Sequence, residues 1–349
     1  MVRHLALVVR RTSNVSGGLV AVLGAGAWGT TLARMLALEG RPVRLWARRP
    51  ESAAALQADR ENREYLPGAL FPESLQVTAS LREALQGTPW VIVAVPSIGL
   101  REVMTQAVAE LEHQALVICA TKGLERPSGV RMSVALQETL GAKQPRLVAL
   151  SGPNLSAEIV AGEPAVSVAA SEDLEAAVEA QELLSNSLFR VYTNPDIIGV
   201  ELGGAMKNII AIGAGISDGL GYGDNAKAAL ITRGLAEIRR LGLRLGAVAS
   251  TFSGIAGMGD LIATCHSPHS RNWTVGHRLG QGESPSQITG NMHSVAEGVF
   301  TTSAARERAR EAGVETPITD AVYQILNEEL SPAEGVRSLM ARRWRSEED

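Results

Sequence analysis

A glycine-rich turn between a short apolar run and a helical stretch constrains this chain most. Residues 19–23 are apolar and lead directly into Gly24-Ala25-Gly26-Ala27-Trp28-Gly29, which opens a helical stretch. A G-x-G-x-x-G pattern between a strand and a helix is typical of a dinucleotide-binding unit. Gly24 permits the tight turn, Gly26 lets the backbone approach a pyrophosphate, and Gly29 lets the helix pack close to the strand. The helix N-terminus then offers free N–H groups and a positive dipole to the anion.

Short apolar runs alternate with amphipathic stretches through the first half of the chain. These patterns predict strands buried on both faces of a parallel sheet, and therefore a doubly wound, Rossmann-type α/β domain. A weaker strand pair at 165–169 and 189–192 flanks an acidic helix at 173–184 and is expected to close the sheet. The predicted main strands are residues 19–23, 43–46, 91–95, 116–120 and 147–150.

The pattern changes after Asn194-Pro195, where helical periodicity replaces the short apolar runs. The second half is therefore expected to be an all-helical domain. The predicted helices there are residues 197–215, 225–245, 271–279, 302–312 and 318–329. We expect four parts: a flexible N-terminal extension (1–18), a nucleotide-binding domain (19–194), an all-helical substrate domain (195–340) and a charged tail (341–349).

Composition excludes several classes of function. The net charge is −4, and no Lys/Arg cluster is large enough to form a basic surface, so the sequence predicts no binding site for nucleic acid or for an anionic membrane. Two cysteines, Cys119 and Cys265, exclude a disulfide scaffold and a four-cysteine zinc site, and the six histidines lack metal-ligand spacing. No apolar run reaches the length of a membrane span, and the apolar residues 5–9 are too few for a secretory segment. We expect a cytoplasmic protein with a small-molecule partner and no metal.

Two arginines follow the second predicted strand. Dinucleotide folds that prefer NAD carry an acidic residue at this place for the ribose hydroxyls. Here Arg48-Arg49 follows residues 43–46, and no Asp or Glu lies between Gly40 and Pro50. Guanidinium groups suit a 2′-phosphate, so the pattern favours NADP(H), with NAD(H) as the other possibility.

Polar residues follow two further predicted strands at the carboxyl edge of the sheet. Thr121-Lys122 comes after residues 116–120, and Ser151-Gly152-Pro153-Asn154 comes after residues 147–150. Open α/β sheets bind ligands at this edge. The two loops are therefore expected to converge on one site.

A lysine in the helical half follows two adjacent glycines. Gly203 and Gly204 lie one helical turn before Lys207 and on its face. Each glycine costs a helix about 1 kcal/mol relative to alanine. We therefore expect something to approach this backbone closely, and we interpret the glycines as the floor of a hollow that holds a substrate under Lys207.

A Ser-Arg-Asn run supplies the remaining donors. Ser270 is placed to cap a helix that begins at Arg271, and Asn272 follows. Hydroxyl, guanidinium, amide and backbone N–H donors at one helix N-terminus suit a phosphate monoester. The segment Gly257-Met258-Gly259-Asp260 precedes this run and adds a carboxylate.

Taken together, these motifs resemble the bacterial NAD(P)-dependent glycerol-3-phosphate dehydrogenase family over nearly the whole chain from Val20 to Ala333. The matching blocks, in order, are residues 24–30, 120–125, 151–154, 201–217, 230–234, 259–261, 270–272 and 296–299. The resemblance implies a nucleotide-binding domain followed by a helical domain, a homodimer in the cytoplasm, and interconversion of dihydroxyacetone phosphate and sn-glycerol 3-phosphate for phospholipid synthesis.

The resemblance also implies roles for individual residues. Lys207 matches the proton-transferring lysine, with Lys122 and Asp260 beside the reacting carbons. The implied substrate contacts are Lys122, Gly152, Asn154, Lys207, Asp260, Ser270, Arg271 and Asn272. The implied cofactor contacts are Gly24, Gly26, Ala27, Trp28, Gly29, Arg48, Arg49, Tyr65, Lys122, Ser156, Arg271, Val295 and Glu297. The chain departs from the family pattern at Ala27, where serine is usual, at Asn154, where serine or threonine is common, and at Ser156, where alanine is common.

Two other functions remain open from the residues themselves. A reductase of a small ketone that bears a carboxylate would use Arg271 and the same lysines. A catalytically silent NADP(H) sensor would bind the cofactor without turning over any ketone, but the set Lys122, Lys207 and Asp260 argues against it.

Overall fold

The computed structural model describes residues 17–290, 296–344 and 346 of the chain. One eight-stranded sheet holds all the strands found in these residues. The strands are β1 (Val20–Leu23), β2 (Val43–Trp46), β3 (Leu75–Thr78), β4 (Trp90–Val93), β5 (Leu116–Cys119), β6 (Arg146–Ser151), β7 (Ala165–Ala170) and β8 (Phe189–Asn194). Nearly all of the predicted N-terminal extension, residues 1–18, lies outside the described residues.

The strand order is β3-β2-β1-β4-β5-β6-β7-β8. Successive strands are added on one side of β1 up to β3 and on its other side from β4 onwards, so the strand order reverses between β1 and β4. The predicted doubly wound fold is confirmed. The sheet is not parallel throughout, because β7 runs antiparallel to β6. Their connection contains only the short helix Ser156–Val160 and turns back at the carboxyl edge instead of crossing the sheet. The four-residue strand β3, which has an exposed Gln76, was not predicted.

Helices cover both faces of the sheet. They are α1 (Ala27–Leu38), α2 (Pro50–Asp59), α3 (Leu81–Leu85), α4 (Leu100–Ala107), α5 (Met132–Leu140), α6 (Ser156–Val160) and α7 (Leu174–Leu184). Alternate residues of β1 enter different apolar clusters: Val20 and Val22 face one, and Ala21 and Leu23 face the other. All four are fully buried, which explains why the strand is a continuous apolar run.

In the described residues after β8, the regular secondary structure consists only of helices, joined by turns and loops. The helices are α8 (Ile197–Gly219), α9 (Asp224–Arg244), α10 (Ala249–Phe252), α11 (Asp260–His266), α12 (Arg271–Gly280), α13 (Pro285–Gly290), α14 (Glu297–Glu311), α15 (Pro317–Leu326) and α16 (Pro332–Met340). All five predicted helices are present, although α14 begins five residues before the predicted residue 302. Helices α10, α11, α13 and α16 have four to nine residues and were missed, because so few turns show no clear apolar period.

Helix α8 is the centre of the helical half. In the described part of the chain it is the one helix whose length and composition would let it cross a membrane, and 89% of its apolar window is buried inside the protein. Helix α12 packs directly on it, since a Cβ on Gly276 would lie 1.9 Å from the Ile212 carbonyl oxygen and one on Gly215 would lie 2.1 Å from the Trp273 carbonyl oxygen. This close packing places the start of α12 beside the middle of α8.

Candidate active site

The glycine-rich turn has the geometry that the sequence predicts. Gly24 has φ +115°, and a Cβ there would lie 2.6 Å from the Ala94 carbonyl oxygen. A Cβ on Gly29 would lie 1.9 Å from the Gly24 carbonyl oxygen, whereas nothing lies within 4 Å of a Cβ on Gly26. Gly24 and Gly29 are therefore required by packing inside the protein. The backbone at Gly26 faces open space, as a backbone that receives a phosphate must.

A buried asparagine supports this turn from a distance. Asn62 is 2% exposed, and its Nδ2 donates to the Ala25 carbonyl oxygen at 3.0 Å and to Thr30 Oγ1 at 2.8 Å. The asparagine thus joins the turn to the first turn of α1. Sequence reasoning missed it, because Asn62 belongs to no motif and lies 37 residues beyond Ala25.

The start of α1 retains free donors. Gly26 is the N-cap residue and makes no side-chain cap, so the first N–H groups of the helix have no partner within it. Trp28 Nε1 is buried and has no hydrogen-bond partner within the described part of the chain, and its ring lies 6.4 Å from that of Phe189. Ala27 and Ser156 begin α1 and α6, which pack together. An open Gly26, an uncapped helix and an orphan indole N–H fit a dinucleotide.

The predicted nucleotide-specificity residues lie at the end of β2. Arg48 and Arg49 are exposed, and Arg49 Nε donates to Ser52 Oγ at 3.0 Å. Tyr65 is half-buried, and burial together with Glu64 raises the pKa of its hydroxyl, while Arg49 and Arg271 lower it. Tyr65 thus interacts electrostatically with Arg49, which follows β2, and with Arg271, which begins α12.

Two lysines from different parts of the fold share one buried carboxylate. Asp260 is 1% exposed, and its Oδ2 accepts from Lys122 Nζ at 2.8 Å while its Oδ1 accepts from Lys207 Nζ. Lys122 also donates to the Gly152 carbonyl oxygen at 2.9 Å, and Lys207 donates to Thr264 Oγ1 at 2.7 Å. The three residues predicted to carry the chemistry therefore form one contiguous cluster at the carboxyl edge of the sheet.

The cluster changes the acidity of Lys207. Burial, the largest cause, and the nearby charge of Lys122 lower the pKa of its ammonium, the attraction of Asp260 raises it, and the net result is a pKa lowered from 10.5 to about 8. A lysine whose pKa lies near the pH of the cell is able both to donate and to accept a proton. The arrangement is therefore suited to acid–base chemistry in either direction.

Two more residues complete the cluster: Thr264, which was not predicted, and Ser151, which was placed in one of the two converging loops but given no role. Thr264 Oγ1 donates to the Asp260 carbonyl oxygen at 2.6 Å, and Ser151 Oγ donates to Asp260 Oδ2 at 3.3 Å. Asp260 follows directly on a π-helical turn, Ile255–Gly259, of the kind often found at functional sites. The glycines at 257 and 259 were the sequence signal for an unusual turn before Asp260.

The two glycines before Lys207 are closely approached, but not by a substrate. A Cβ on Gly203 would lie 2.8 Å from the Ala256 carbonyl oxygen, and one on Gly204 would lie 2.5 Å from Ser151 Oγ. The close approach is confirmed, whereas the interpretation of a glycine-floored hollow is wrong. The glycines instead let the π-helical turn and the end of β6 pack directly against α8, and this packing buries Lys207.

The first turn of α12 holds the predicted Ser-Arg-Asn donors. Ser270 caps the helix, since its Oγ accepts from the Trp273 N–H at 3.3 Å. The amide of Asn272 bridges two helices, donating to Asn208 Oδ1 at 2.9 Å and accepting from the Gly298 N–H at 2.9 Å. The Arg271 side chain is reached by solvent, but the protein around it lowers the pKa of its guanidinium, which Glu297 opposes.

Two predicted substrate residues after β6 contact the neighbouring strand β7. Asn154 Nδ2 donates to the Val166 carbonyl oxygen at 2.9 Å, and its Oδ1 accepts from Ser167 Oγ at 3.0 Å. A Cβ on Gly152 would lie 2.8 Å from the same Val166 oxygen. The described contacts of Asn154 therefore hold the loop in place, while Gly152 reaches the cluster through its carbonyl oxygen. Their roles as substrate contacts stay predictions.

Glu297 joins the helical half to the end of β4. Its carboxylate accepts from the Ser97 N–H at 3.0 Å and from Ser97 Oγ. Burial raises the pKa of Glu297, whereas Ser97 and Arg271 lower it. Val295, the other predicted cofactor residue near this position, lies outside the described residues. No group of three or more His, Cys, Asp or Glu side chains in the described ranges is arranged to hold a metal ion.

The chain is similar to known proteins over most of its length. Residues 19–177 match the family model for the N-terminus of NAD-dependent glycerol-3-phosphate dehydrogenase, and residues 196–337 match the model for its C-terminus. A glycerol-3-phosphate dehydrogenase [NAD(P)+] of Pelodictyon phaeoclathratiforme is 50% identical over 332 residues, which cover 95% of this chain and 99% of that protein. One from Geobacillus kaustophilus is 49% identical over 331 residues, covering 95% and 96%.

A solved structure has the same overall fold. The glycerol-3-phosphate dehydrogenase of Coxiella burnetii superposes with a TM-score of 0.90 at 38% identity and covers 93% of this chain and 99% of its own. Together the two family models span most of the chain, on both sides of the junction between β8 and α8. The chain therefore belongs to the NAD-dependent glycerol-3-phosphate dehydrogenase family.

Proposed function

We propose that the protein reduces dihydroxyacetone phosphate reversibly to sn-glycerol 3-phosphate, with NADPH or NADH as the reductant. The observation that carries this proposal is the sharing of the Asp260 carboxylate by Lys122 and Lys207. The cluster lies at the carboxyl edge of the sheet, where doubly wound folds bind their ligands. The names of the relatives support the same activity.

The nucleotide is held by the turn at Gly24, Gly26 and Gly29 and by the first N–H groups of α1, with Ala27, Trp28 and Ser156 beside them. When bound, NAD(P)H supplies the hydride. Exposed Arg48 and Arg49 favour NADPH, because two guanidinium groups at the end of β2 suit a 2′-phosphate. Tyr65, Lys122, Arg271, Val295 and Glu297 complete the proposed cofactor contacts.

Lys207 handles the proton. In the reduction its ammonium donates to the ketone oxygen, and in the oxidation its neutral amine accepts the proton of the hydroxyl group. Asp260 and Thr264 fix the position of the amine. Lys122 places a second positive charge beside the carbonyl oxygen and stabilises the charge that develops on it.

The phosphate of the substrate is proposed to bind at the first turn of α12. The backbone N–H groups of Arg271 and Asn272 have no partner within that helix, and Arg271 adds a guanidinium group. The side-chain amide of Asn272 is already bonded to Asn208 and Gly298, so its contribution is to hold this turn against α8. Ser270, which caps this turn, belongs to the same proposed site, and Gly152 and Asn154 are proposed to contact the substrate from the loop after β6.

Four further features belong to the proposal. The chain divides near residue 195 into a nucleotide-binding domain (19–194) and a substrate domain (195–340), because the sheet ends at Asn194 and α8 starts at Ile197. The protein works as a homodimer in the cytoplasm and supplies sn-glycerol 3-phosphate to glycerophospholipid synthesis. The homodimer, the cytoplasmic location and the role in glycerophospholipid synthesis are expected from the resemblance to the family.

The test is oxidation of reduced nicotinamide by the purified full chain, followed by absorbance. Dihydroxyacetone phosphate is compared with dihydroxyacetone, and NADPH with NADH. We expect oxidation that requires the phosphate and is faster with NADPH at low cofactor concentration. Turnover of a keto acid alone would instead indicate a carboxylate reductase. Cofactor binding without turnover of any ketone would indicate a sensor.

A further inference from the structure

A buried carboxylate on α8 binds the first turn of α5. Glu201 is 9% exposed, and its Oε1 accepts from the Ser133 N–H at 2.7 Å. Its Oε2 accepts from Ser133 Oγ at 2.6 Å and from an Arg131 guanidinium N–H. One side chain of the helical half thus holds the start of a helix that packs on the sheet.

Helix α5 has no acidic cap of its own. Its N-cap residue, Arg131, makes no side-chain cap, and no acidic residue lies in its first turn. Negative charge near a helix N-terminus is stabilising, because the first N–H groups are unpaired and the helix dipole is positive there. Glu201 supplies this charge from 68 residues away in the sequence. The contact is therefore a specific junction between the two halves of the protein.

The junction is connected to both lysines of the site. Glu201 and Lys207 belong to the same helix, and Gly204 between them packs against Ser151. On the other side, α5 follows directly on the segment that begins at Lys122, and Leu124 of that segment is buried in the apolar core of the helical half. The Glu201 contact thus holds together the two elements from which Lys122 and Lys207 project.

We propose that Glu201 is a positioning residue, which sets the separation of Lys122 and Lys207 by fixing the start of α5 to α8. The role assigned to the lysines rests on the proposed function. Glu201 lines the same small cavity as Lys122 and Ser151 but does not bond to the Asp260 cluster, because its described hydrogen-bond partners are Arg131 and Ser133.

The acidity of Lys207 reports on this separation. Burial, Asp260 and Lys122 determine the pKa of Lys207, and both burial and Lys122 lower it. If the junction loosens, Lys122 moves away or water enters, and either change raises the pKa of Lys207. A role of Glu201 in stability alone leaves this pKa unchanged.

The chain makes the measurement simple, because Lys122, Lys143, Lys207 and Lys227 are its only lysines. Protein labelled with 13C at lysine Cε gives four signals, which single Lys→Arg variants assign, and the Lys207 signal is followed against pH. The test variant is Glu201→Gln. The matched control is Glu179→Gln. Glu179 also accepts from an arginine, Arg146 at 2.6 Å, and from a second donor, Trp90 Nε1 at 2.7 Å, but it lies on α7 and its two partners lie on β6 and β4.

We expect Glu201→Gln to move the Lys207 midpoint to higher pH by about half a unit or more, and Glu179→Gln to leave it unchanged. In the enzyme assay, we expect kcat of Glu201→Gln to fall by about tenfold or more, with a Kd for NADPH within about twofold of wild type, because misplacement of a reacting group affects the chemical step. Folded Glu201→Gln with an unchanged Lys207 midpoint overturns the proposal.

Ser133→Ala decides the question if Glu201→Gln does not fold. It removes one of three donors and keeps the charge pair with Arg131, so a smaller shift in the same direction supports the proposal and no shift overturns it. The NMR measurement needs no turnover. If the wild-type protein does not reduce dihydroxyacetone phosphate, the proposed function fails, and the Lys207 midpoint still tests the role of Glu201.

Discussion

Lys122 and Lys207 lie on opposite sides of one carboxylate, that of Asp260, each bonded to a different oxygen. Two ammonium groups held this close repel each other, and the shared carboxylate offsets the repulsion. Lys122 comes from the end of β5 and Lys207 from the buried helix α8, so the cluster exists only where the sheet and the helical half meet. The first two predictions below depend on this contact.

Replacement of Lys207 by alanine removes the proposed proton donor. We expect kcat for dihydroxyacetone phosphate reduction to fall by about 10²- to 10⁴-fold, the usual contribution of general acid–base catalysis. The Kd for NADPH is expected to change little, because Lys207 bonds only to Asp260 and Thr264 in the described residues. Steady-state kinetics and fluorescence titration with NADPH measure the two effects.

Lys143→Ala is the matched control, since Lys143 is half-buried and, in the described residues, donates only to the Ala109 carbonyl oxygen, at 3.3 Å. It should retain wild-type turnover. A Lys207→Ala protein that binds NADPH and turns over at near the wild-type rate would remove Lys207 from the mechanism.

The two directions of the reaction should respond oppositely to pH. Burial and Lys122 lower the pKa of Lys207 to about 8. The oxidation needs the neutral amine, so its kcat/KM should rise with pH through this value, whereas the reduction needs the ammonium and its kcat/KM should fall above it. Initial rates in both directions between pH 6 and about 10 check this prediction. Profiles that rise in both directions, or that show no midpoint in this range, would contradict it.

Removal of the guanidinium groups after β2 should change the choice of cofactor. We expect Arg48→Ala and Arg49→Ala each to raise the KM for NADPH by about 10- to 100-fold, as for the loss of a hydrogen bond between charged groups. The KM for NADH should change by less than about twofold, because NADH lacks the 2′-phosphate. Equal changes in the KM for NADPH and the KM for NADH would show that the arginines do not bind the 2′-phosphate.

Local sequence patterns predicted the parts of the site that depend on short segments. The roles of Gly24 and Gly29 in packing follow from a turn of six residues, and Ser270 caps α12 as its position indicates. Lys122 and Asp260 were singled out because each lies next to a recognisable motif, and the structure brings the two side chains into contact. These features need only neighbours along the chain.

The remaining features depend on contacts between distant residues. The antiparallel direction of β7 depends on how the chain turns after β6, and the apolar pattern of a strand carries no information about direction. Asn62 and Glu201 bond to residues 37 and 68 positions away, and neither side chain belongs to a periodic pattern. The hollow expected at Gly203 and Gly204 was wrong for a related reason. A glycine indicates a close approach but does not show whether protein or ligand makes it.

The last prediction concerns stability and a second buried carboxylate, Glu237 of α9. It is 1% exposed and accepts from the N–H groups of Ile318 and Thr319 at the start of α15. Burial raises its pKa to about 7, although these hydrogen bonds oppose the shift. In the unfolded chain a glutamate has a pKa of about 4.3. Between these two values the native state therefore keeps a proton that the unfolded state has released.

The sign of the effect follows from this difference. The stabilisation is fully present below about pH 4.3 and is lost as the pH rises through the native pKa, by at most about 4 kcal/mol. Glu237→Gln is uncharged at every pH and keeps an oxygen that accepts from α15. We expect the Tm of Glu237→Gln relative to wild type to increase steadily from pH 5 to about pH 8, as measured by thermal denaturation. The exposed Glu307, replaced in the same way, should show no such trend, and a constant difference for Glu237→Gln would mean that this carboxylate is already ionised throughout the range.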